Sequence, residues 1–159
     1  MDETYIRVKG KWAYLYRAVD SCGASIDFLL SAQRDAAAAK RFFQKALCSS
    51  NHPTPRVINV DKNPSYPPVV EALKAEDTLR RRCRLRPVKY LNNILEQDHR
   101  AIKRRVRASQ GFRPFRGAYR TIQGYEAVHA IRKGQARWVG VGQIVRQLQF
   151  IAGLFQISI

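Results

Sequence analysis

Acidic side chains are scarce in this basic chain, and three of them lie where packing gives no reason for a carboxylate. The 159 residues include 12 Asp and Glu against 29 Lys and Arg. Glu96 lies in "NNILEQDHRAIKRR", Asp61 follows the apolar run "RVINV", and Asp2 opens the first β-like segment. Carboxylates from two strands and one helix can converge on a hard divalent cation such as Mg²⁺.

A site of this kind has a known use in phosphoryl transfer. Two ions held by shared carboxylates activate a hydroxyl group and stabilise the leaving oxygen. Lysine and arginine side chains around the ions would hold the backbone of a nucleic acid. The structural alternative for Glu96 is a helical ion pair with Arg100 or a contact with His99.

Helical geometry places Glu96 at the border between core and solvent. At about 100° per residue, a helix over about 90–108 has one apolar stripe that faces a sheet. That stripe comprises Leu91, Leu95, Ile102 and Val106. The adjoining stripe comprises Asn92, Glu96, His99 and Lys103. Farther out lie Arg100, Arg104 and Arg107. Asp98 points away from Glu96, so the two acids cannot hold one ion.

Asn92 and His99 lie near Glu96 by helix geometry alone. Each is predicted to neighbour the metal ligands or to contact a DNA phosphate, rather than to bind an ion itself.

The charge balance indicates a polyanionic partner. The formal net charge is +17 and the isoelectric point is near 10.5. Such an excess repels itself in the folded state, and nucleic acid is the obvious partner. A basic surface kept for solubility is the alternative.

Cysteine usage and hydropathy indicate a cytoplasmic location. The three cysteines are widely spaced and form no CxxC pair, so neither a disulfide framework nor a zinc finger is predicted. A reducing compartment is expected. No apolar run reaches the roughly 18 residues that a membrane span needs.

The elements that position these residues follow from periodicity. Residues 2–31 predict a three-strand antiparallel meander, from "ETYIRV", "WAYLYRAV" and "SIDFLLS" joined by short turns. A helix over 34–47 and the buried strand "RVINV" follow. That strand is expected to lie parallel to an earlier one. The result is a mixed α/β sheet flanked by helices.

The second half of the chain is predicted to be mostly helical. Pro67 and Pro68 suit a helix start. "TLRRRCRLR" allows a short exposed strand, and residues 111–117 predict a loop before a helix over about 118–133. A last helix carries an apolar stripe that is expected to pack within the chain, with a dimer contact as the alternative. Its members are Ile144, Leu148, Ile151 and Phe155.

Four segments resemble a known family. They are "DETYIRVKGKWAYLYRAVD", "VINVDKNPSYP", "NNILEQDHRAIKRR" and "GYEAVHAIRKGQ". Together they resemble the catalytic domain of DDE transposases of prokaryotic insertion sequences, in particular the insertion sequence six family. Glu96 lies 35 positions after Asp61 (96 − 61), an interval similar to that of the family.

The resemblance implies a fold, a site and a metal. The fold would be ribonuclease H-like, with a catalytic core over 1–108 and a helical extension over 109–159. Asp2, Asp61 and Glu96 would be the catalytic triad and the ligands of Mg²⁺, with Mn²⁺ as a substitute and two ions expected.

The resemblance also implies the partners. These would be the ends of an insertion element and its target DNA, bound by a homodimer or a higher assembly. Association with the nucleoid would follow from DNA binding. The expected DNA-binding residues are Asn92, His99, Arg100, Lys103, Arg104 and Arg107.

The start of the chain departs from the family pattern. Family members carry a helix-turn-helix region and more of the first strand before the DET segment. The expectation is therefore a truncated catalytic domain whose activity alone is doubtful. A non-catalytic DNA-binding remnant and a ribonuclease H-like nuclease are the alternatives.

Overall fold

The computed structural model describes residues 1–48, 53–88, 99–100, 102–104, 106 and 112–157. The chain divides into two compact units, Met1–Phe115 and Arg116–Ile159. The first unit has α/β architecture with two sheets, and the described part of the second unit is helical.

The first sheet is the predicted antiparallel meander. It contains β1 (Asp2–Val8), β2 (Lys11–Val19) and β3 (Ser25–Ser31) in that spatial order. Lys9 and Gly10 join the first two strands with φ angles of 50° and 74°. Two consecutive positive φ values match the twist that a two-residue hairpin needs. The register pairs Asp2 with Arg17 and Glu3 with Tyr16.

Helix α1 (Ala36–Leu47) covers one face of this sheet. The Asp35 side chain caps its first turn by accepting a hydrogen bond from the Ala38 amide at 2.7 Å. Phe42 and Phe43 are buried, and Phe42 packs against Tyr16 of β2 with 5.6 Å between ring centroids. These contacts form the centre of the hydrophobic core.

The second sheet has two parallel strands, β4 (Val57–Val60) and β5 (Arg84–Pro87). Helix α2 (Tyr66–Ala75) connects them and has prolines in its first turn, as predicted. Val69, Val70 and Leu73 of α2 are buried in the same core. The arginine-rich segment "TLRRRCRLR", for which the sequence allowed a short strand, ends in β5.

The expected single mixed sheet is wrong in one respect, because β4 is parallel to the later strand β5 and not to an earlier one. The edge of β4 that faces β5 forms a continuous hydrogen-bond ladder. At its two ends, Arg84 N–H donates to Arg56 C=O at 3.0 Å and Val88 N–H donates to Val60 C=O at 2.9 Å. β4 instead meets the beginning of β1, where the Met1 amino group donates to the Asn59 carbonyl at 2.7 Å.

The described residues among 99–106 are helical, as expected. Ile102 is buried and Val106 is half-buried, whereas three cationic side chains are exposed. Those exposed side chains are Arg100, Lys103 and Arg104. Leu91 and Leu95 lie outside the described residues.

Two helices follow, α3 (Phe115–Arg132), which begins at the last residue of the first unit, and α4 (Ile144–Phe155) in the second unit. The loop predicted over 111–117 is wrong at its end, because α3 already begins at Phe115. Position 134 requires glycine, because its φ is 72° and a Cβ atom there would lie only 2.8 Å from atoms of Val141.

The predicted packing of α4 is also wrong within the described structure. Ile144, Leu148 and Phe155 are exposed, and the buried residues of the helix are Gln147 and Ala152. Gln147 turns inward because its side-chain amide donates to the Gly140 carbonyl at 2.8 Å. Periodicity predicts an apolar face, but it does not identify what covers that face.

None of the helices in the described ranges is both long and apolar enough to span a membrane.

Candidate active site

Asp2 and Asp61 come together where β1 begins and β4 ends. The Asp2 side chain is 15% exposed, and its Oδ1 accepts a hydrogen bond from the Glu3 amide at 2.8 Å. Asp61 directly follows β4, and its Oδ1 accepts from the Asn63 amide at 3.2 Å. Each carboxylate is thus oriented by a backbone N–H close to it in sequence.

The two carboxylates interact electrostatically. Burial raises the pKa of Asp2 to about 6, and the negative charge of Asp61 acts in the same direction. The hydrogen bond from the Glu3 amide and the charge of the Met1 amino group oppose this rise. A partly buried carboxylate beside a second negative charge is a suitable environment for a cation.

Tyr66 marks the point at which the acids converge. Its ring is buried at the start of α2. Burial raises the pKa of its hydroxyl group far above the ordinary range, and the charges of Glu3, Asp61 and Asp2 add to the rise. Three carboxylates from two strands therefore act on one side chain.

His99 lies beside Asp2. Its Nδ1 atom is 3.8 Å from Oδ2 of Asp2, and the residue is 6% exposed. This separation is longer than a hydrogen bond but lies within ion-pair distance for a protonated imidazole. His99 is therefore a neighbour of the candidate ligands and is not part of the exposed basic face.

Glu3 is a site residue that the sequence analysis missed. It is buried, its Oε2 accepts a hydrogen bond from the Asn63 side-chain amide at 3.3 Å, and its Oε1 forms an ion pair with Arg34. Alternation along β1 points Glu3 to the opposite face from Asp2. The "DET" and "DKN" motifs adjoin both aspartates, but nothing in their spacing signals a contact across 60 positions.

Asn63 connects Glu3 to the Asp61 loop. Its Oδ1 accepts from the Ser65 amide at 2.9 Å, and its backbone amide donates to Asp61. Asn63 thus orders the turn before α2 while its side-chain amide binds β1 through Glu3. This connection fixes the Asp61 loop against the strand that carries Asp2.

The remaining predicted residues divide into two groups. Arg100, Lys103 and Arg104 are exposed on the helical residues that follow His99. Asn92, Glu96 and Arg107 lie outside the described residues.

The chemistry of the site suits a divalent metal ion. Within the described ranges, no group of three or more His, Cys, Asp or Glu side chains is placed to hold a metal. Asp2 and Asp61 supply two hard oxygen donors whose mutual repulsion a cation would relieve. Mg²⁺ commonly takes one or two carboxylates and completes its shell with water and substrate phosphate.

Comparisons with known proteins identify the family of the chain. The family model of the DDE domain, of the IS240 transposase type, matches residues 1–135. The chain therefore belongs to the DDE-domain transposases of insertion sequences, within the insertion sequence six family. No solved structure matches significantly.

Two of the similar proteins are transposases of Staphylococcus aureus. They are the transposase for insertion sequence-like element IS431mec and the transposase for insertion sequence element IS257 in transposon Tn4003. Each is 36% identical over 137 residues, which cover 86% of this chain and 58% of the relative. The chain thus matches little more than half the length of these relatives.

A third similar protein is the uncharacterized protein pYV0051 of Yersinia pseudotuberculosis. It is 39% identical over 85 residues, which cover 53% of this chain and 79% of the relative.

The burial of Asp2 beside Asp61 predicts a raised Asp2 pKa. In the metal-free protein, NMR of the side-chain carboxyl carbon should give an Asp2 pKa of about 6. Asp61→Asn should lower that pKa, because it removes a neighbouring negative charge. The folded state binds this proton more tightly than the unfolded chain. Asp2 therefore lowers stability as pH rises from 3.8 through about 6. An Asp2 midpoint at its ordinary value would contradict this environment.

The Glu3–Asn63 connection predicts a decrease in stability on mutation. Asn63→Ala should lower the free energy of unfolding by about 1–3 kcal/mol, because it leaves a buried carboxylate oxygen without this donor. Asn59→Ala, at an exposed position of β4, is the matched control and should change it by less than about 0.5 kcal/mol. Denaturant unfolding measures both. Equal changes in the free energy of unfolding of the two variants would show that the Glu3–Asn63 hydrogen bond does not contribute to stability.

Proposed function

We propose that this chain carries the catalytic part of a transposase, which cleaves DNA strands at the ends of an insertion element and joins the freed 3′-hydroxyl group to target DNA. The observation that carries the proposal is the pair Asp2 and Asp61, which share a partly buried site in a chain of the DDE family. The reaction would proceed without a covalent link between protein and DNA.

Three carboxylates would hold the metal ions. Asp2 and Asp61 come from β1 and from the end of β4, and Glu96 would come from the helix that contains His99. When bound, Mg²⁺ or Mn²⁺ activates the attacking hydroxyl group and stabilises the charge on the leaving oxygen. His99 would stand beside Asp2 without binding the ions itself, since its Nδ1 lies 3.8 Å from the Asp2 carboxylate.

The exposed basic face beside the site would bind the DNA backbone. Arg100, Lys103 and Arg104 are exposed in the residues that follow His99, and Asn92 and Arg107 would extend this face. The formal net charge of +17 supports a polyanionic partner. Phosphate contacts of this kind position DNA without reading its sequence.

The fold and assembly are proposed on the same basis. The meander, the parallel strand and their covering helices support a ribonuclease H-like core over 1–108, with a helical extension over 109–159. A homodimer or higher assembly would bring two element ends to one target.

Removal of one ligand tests the catalytic proposal. In the full-length protein, Glu96→Gln or Asp61→Asn should reduce strand cleavage at least about a thousandfold. The reason is that metal ions contribute several kcal/mol to stabilising the transition state. DNA binding should persist. The assay is 3′-end cleavage of DNA from the element's ends with Mg²⁺ or Mn²⁺.

Asp98→Asn is the matched control and should leave cleavage within a small factor. Cleavage close to normal in Glu96→Gln would show that the triad is misassigned. Cleavage without any strand-transfer product would favour a ribonuclease H-like nuclease over a transposase.

The basic face predicts a salt-dependent affinity. Lys103→Ala should weaken binding to all DNA sequences alike and reduce the slope of log K against log salt by about one. Lys11→Ala, exposed at the start of β2, removes the same charge from another surface and should leave the slope nearly unchanged. Fluorescence anisotropy across a salt series gives both values. Affinity that does not respond to salt would exclude this binding mode.

A further inference from the structure

A second concentration of positive charge lies away from the candidate active site. Residues 80–86 contain five arginines, and a sixth, Arg56, precedes β4. Four of these six arginines line a cavity of about 430 Å³. They are Arg56, Arg80, Arg82 and Arg84.

The backbone holds these arginines in a fixed arrangement. Arg84 N–H donates to Arg56 C=O at 3.0 Å, at the point where the parallel ladder of β4 and β5 begins. Cys83 N–H donates to Arg80 C=O at 2.8 Å and closes a turn that carries Arg82. Cys83 is buried, so this segment is attached to the core. Segments 24 positions apart (80 − 56) are thus joined around one cavity.

The arrangement is complementary in charge to an anion. Guanidinium groups remain charged at all physiological pH values. None of the described residues that line the cavity is acidic. The nearby acid Asp77 lies 3.8 Å from Arg81, which does not line the cavity. The four arginines are solvent-exposed, and together they suit a polyanionic ligand.

Protection of a strand edge accounts for only part of this pattern. Charged side chains on an edge strand prevent pairing with other chains, and Arg84 and Arg86 on β5 suit that role. Arg56 and Arg80 lie outside β5, yet they line the same cavity. A gathered set of planar guanidinium groups suits bidentate contacts with phosphate oxygens.

We propose that this arginine cavity is a second binding site for the DNA backbone, separate from the basic face beside His99. This inference rests on the proposed function, because it takes DNA as the substrate. Arg56 and Asp61 are five positions apart at the two ends of β4, a distance of roughly 16 Å in an extended strand. Roughly five base pairs of duplex cover this span. One DNA segment can therefore reach the cavity while its scissile phosphate lies at the acids.

The test compares paired charge removals in the full chain. Arg82→Gln/Arg84→Gln should weaken DNA binding roughly tenfold and reduce the salt slope by about two, because each arginine neutralises about one phosphate. Arg41→Gln/Arg120→Gln removes the same charge from exposed positions on α1 and α3 and is the matched control. Thermal unfolding without DNA should show that both pairs remain folded.

A lysine variant separates charge from geometry. Arg82→Lys/Arg84→Lys should keep the salt slope but recover only part of the affinity, since an ammonium group cannot bind a phosphate through two parallel hydrogen bonds. The inference would be overturned if Arg82→Gln/Arg84→Gln bound DNA as tightly as the control pair does. Edge protection would then remain as the role of these arginines. Failure of the unaltered chain to bind DNA would instead overturn the proposed function, so the two failures are distinguishable.

Discussion

The buried Glu3 carboxylate is the group on which the candidate site depends. It forms an ion pair with Arg34 and accepts a hydrogen bond from Asn63, whose backbone amide binds Asp61. A buried charge is tolerated only when it is paired and hydrogen-bonded, so this position is strongly constrained. The constraint has a functional result, because the neighbouring residue on the same strand is Asp2. The strand that carries one candidate ligand is thereby fixed to the loop that carries the other.

Local periodicity predicted most of the elements, because each is a short-range property. Alternation and a two-residue turn define the meander, and apolar spacing defines α1 and α4. The partner of β4 was predicted wrongly, since a buried strand has two edges and its own sequence does not choose between them. The packing of α4 failed for a similar reason, because an apolar face such as that of Ile144 and Leu148 does not identify what covers it.

The site was predictable to the extent that its residues stand at the ends of strands. Asp61 after a buried strand and Asp2 on the first strand have no packing role, and the structure brings their charges together. Glu3 was missed because it belongs to the other face of β1 and meets Asn63 across 60 positions. The burial of His99 against Asp2 likewise depends on how a helix packs on the sheet. Residue types and spacing thus predicted that the two aspartates would lie together, but not the side chains that hold them in place.

The two ends of β4 carry opposite electrostatic imbalances. At its carboxyl end, the negative charge of Asp61 raises the free energy of the ionised form of Asp2. At its amino end, Arg56 joins three other arginines around a cavity. Neither imbalance can relieve the other, because the strand holds them roughly 16 Å apart. Under the proposed function, a DNA backbone with divalent ions would relieve both, since its phosphates would pair with the arginines while its ions would pair with the acids. The distribution of charge in the protein would then favour the complex over the free chain.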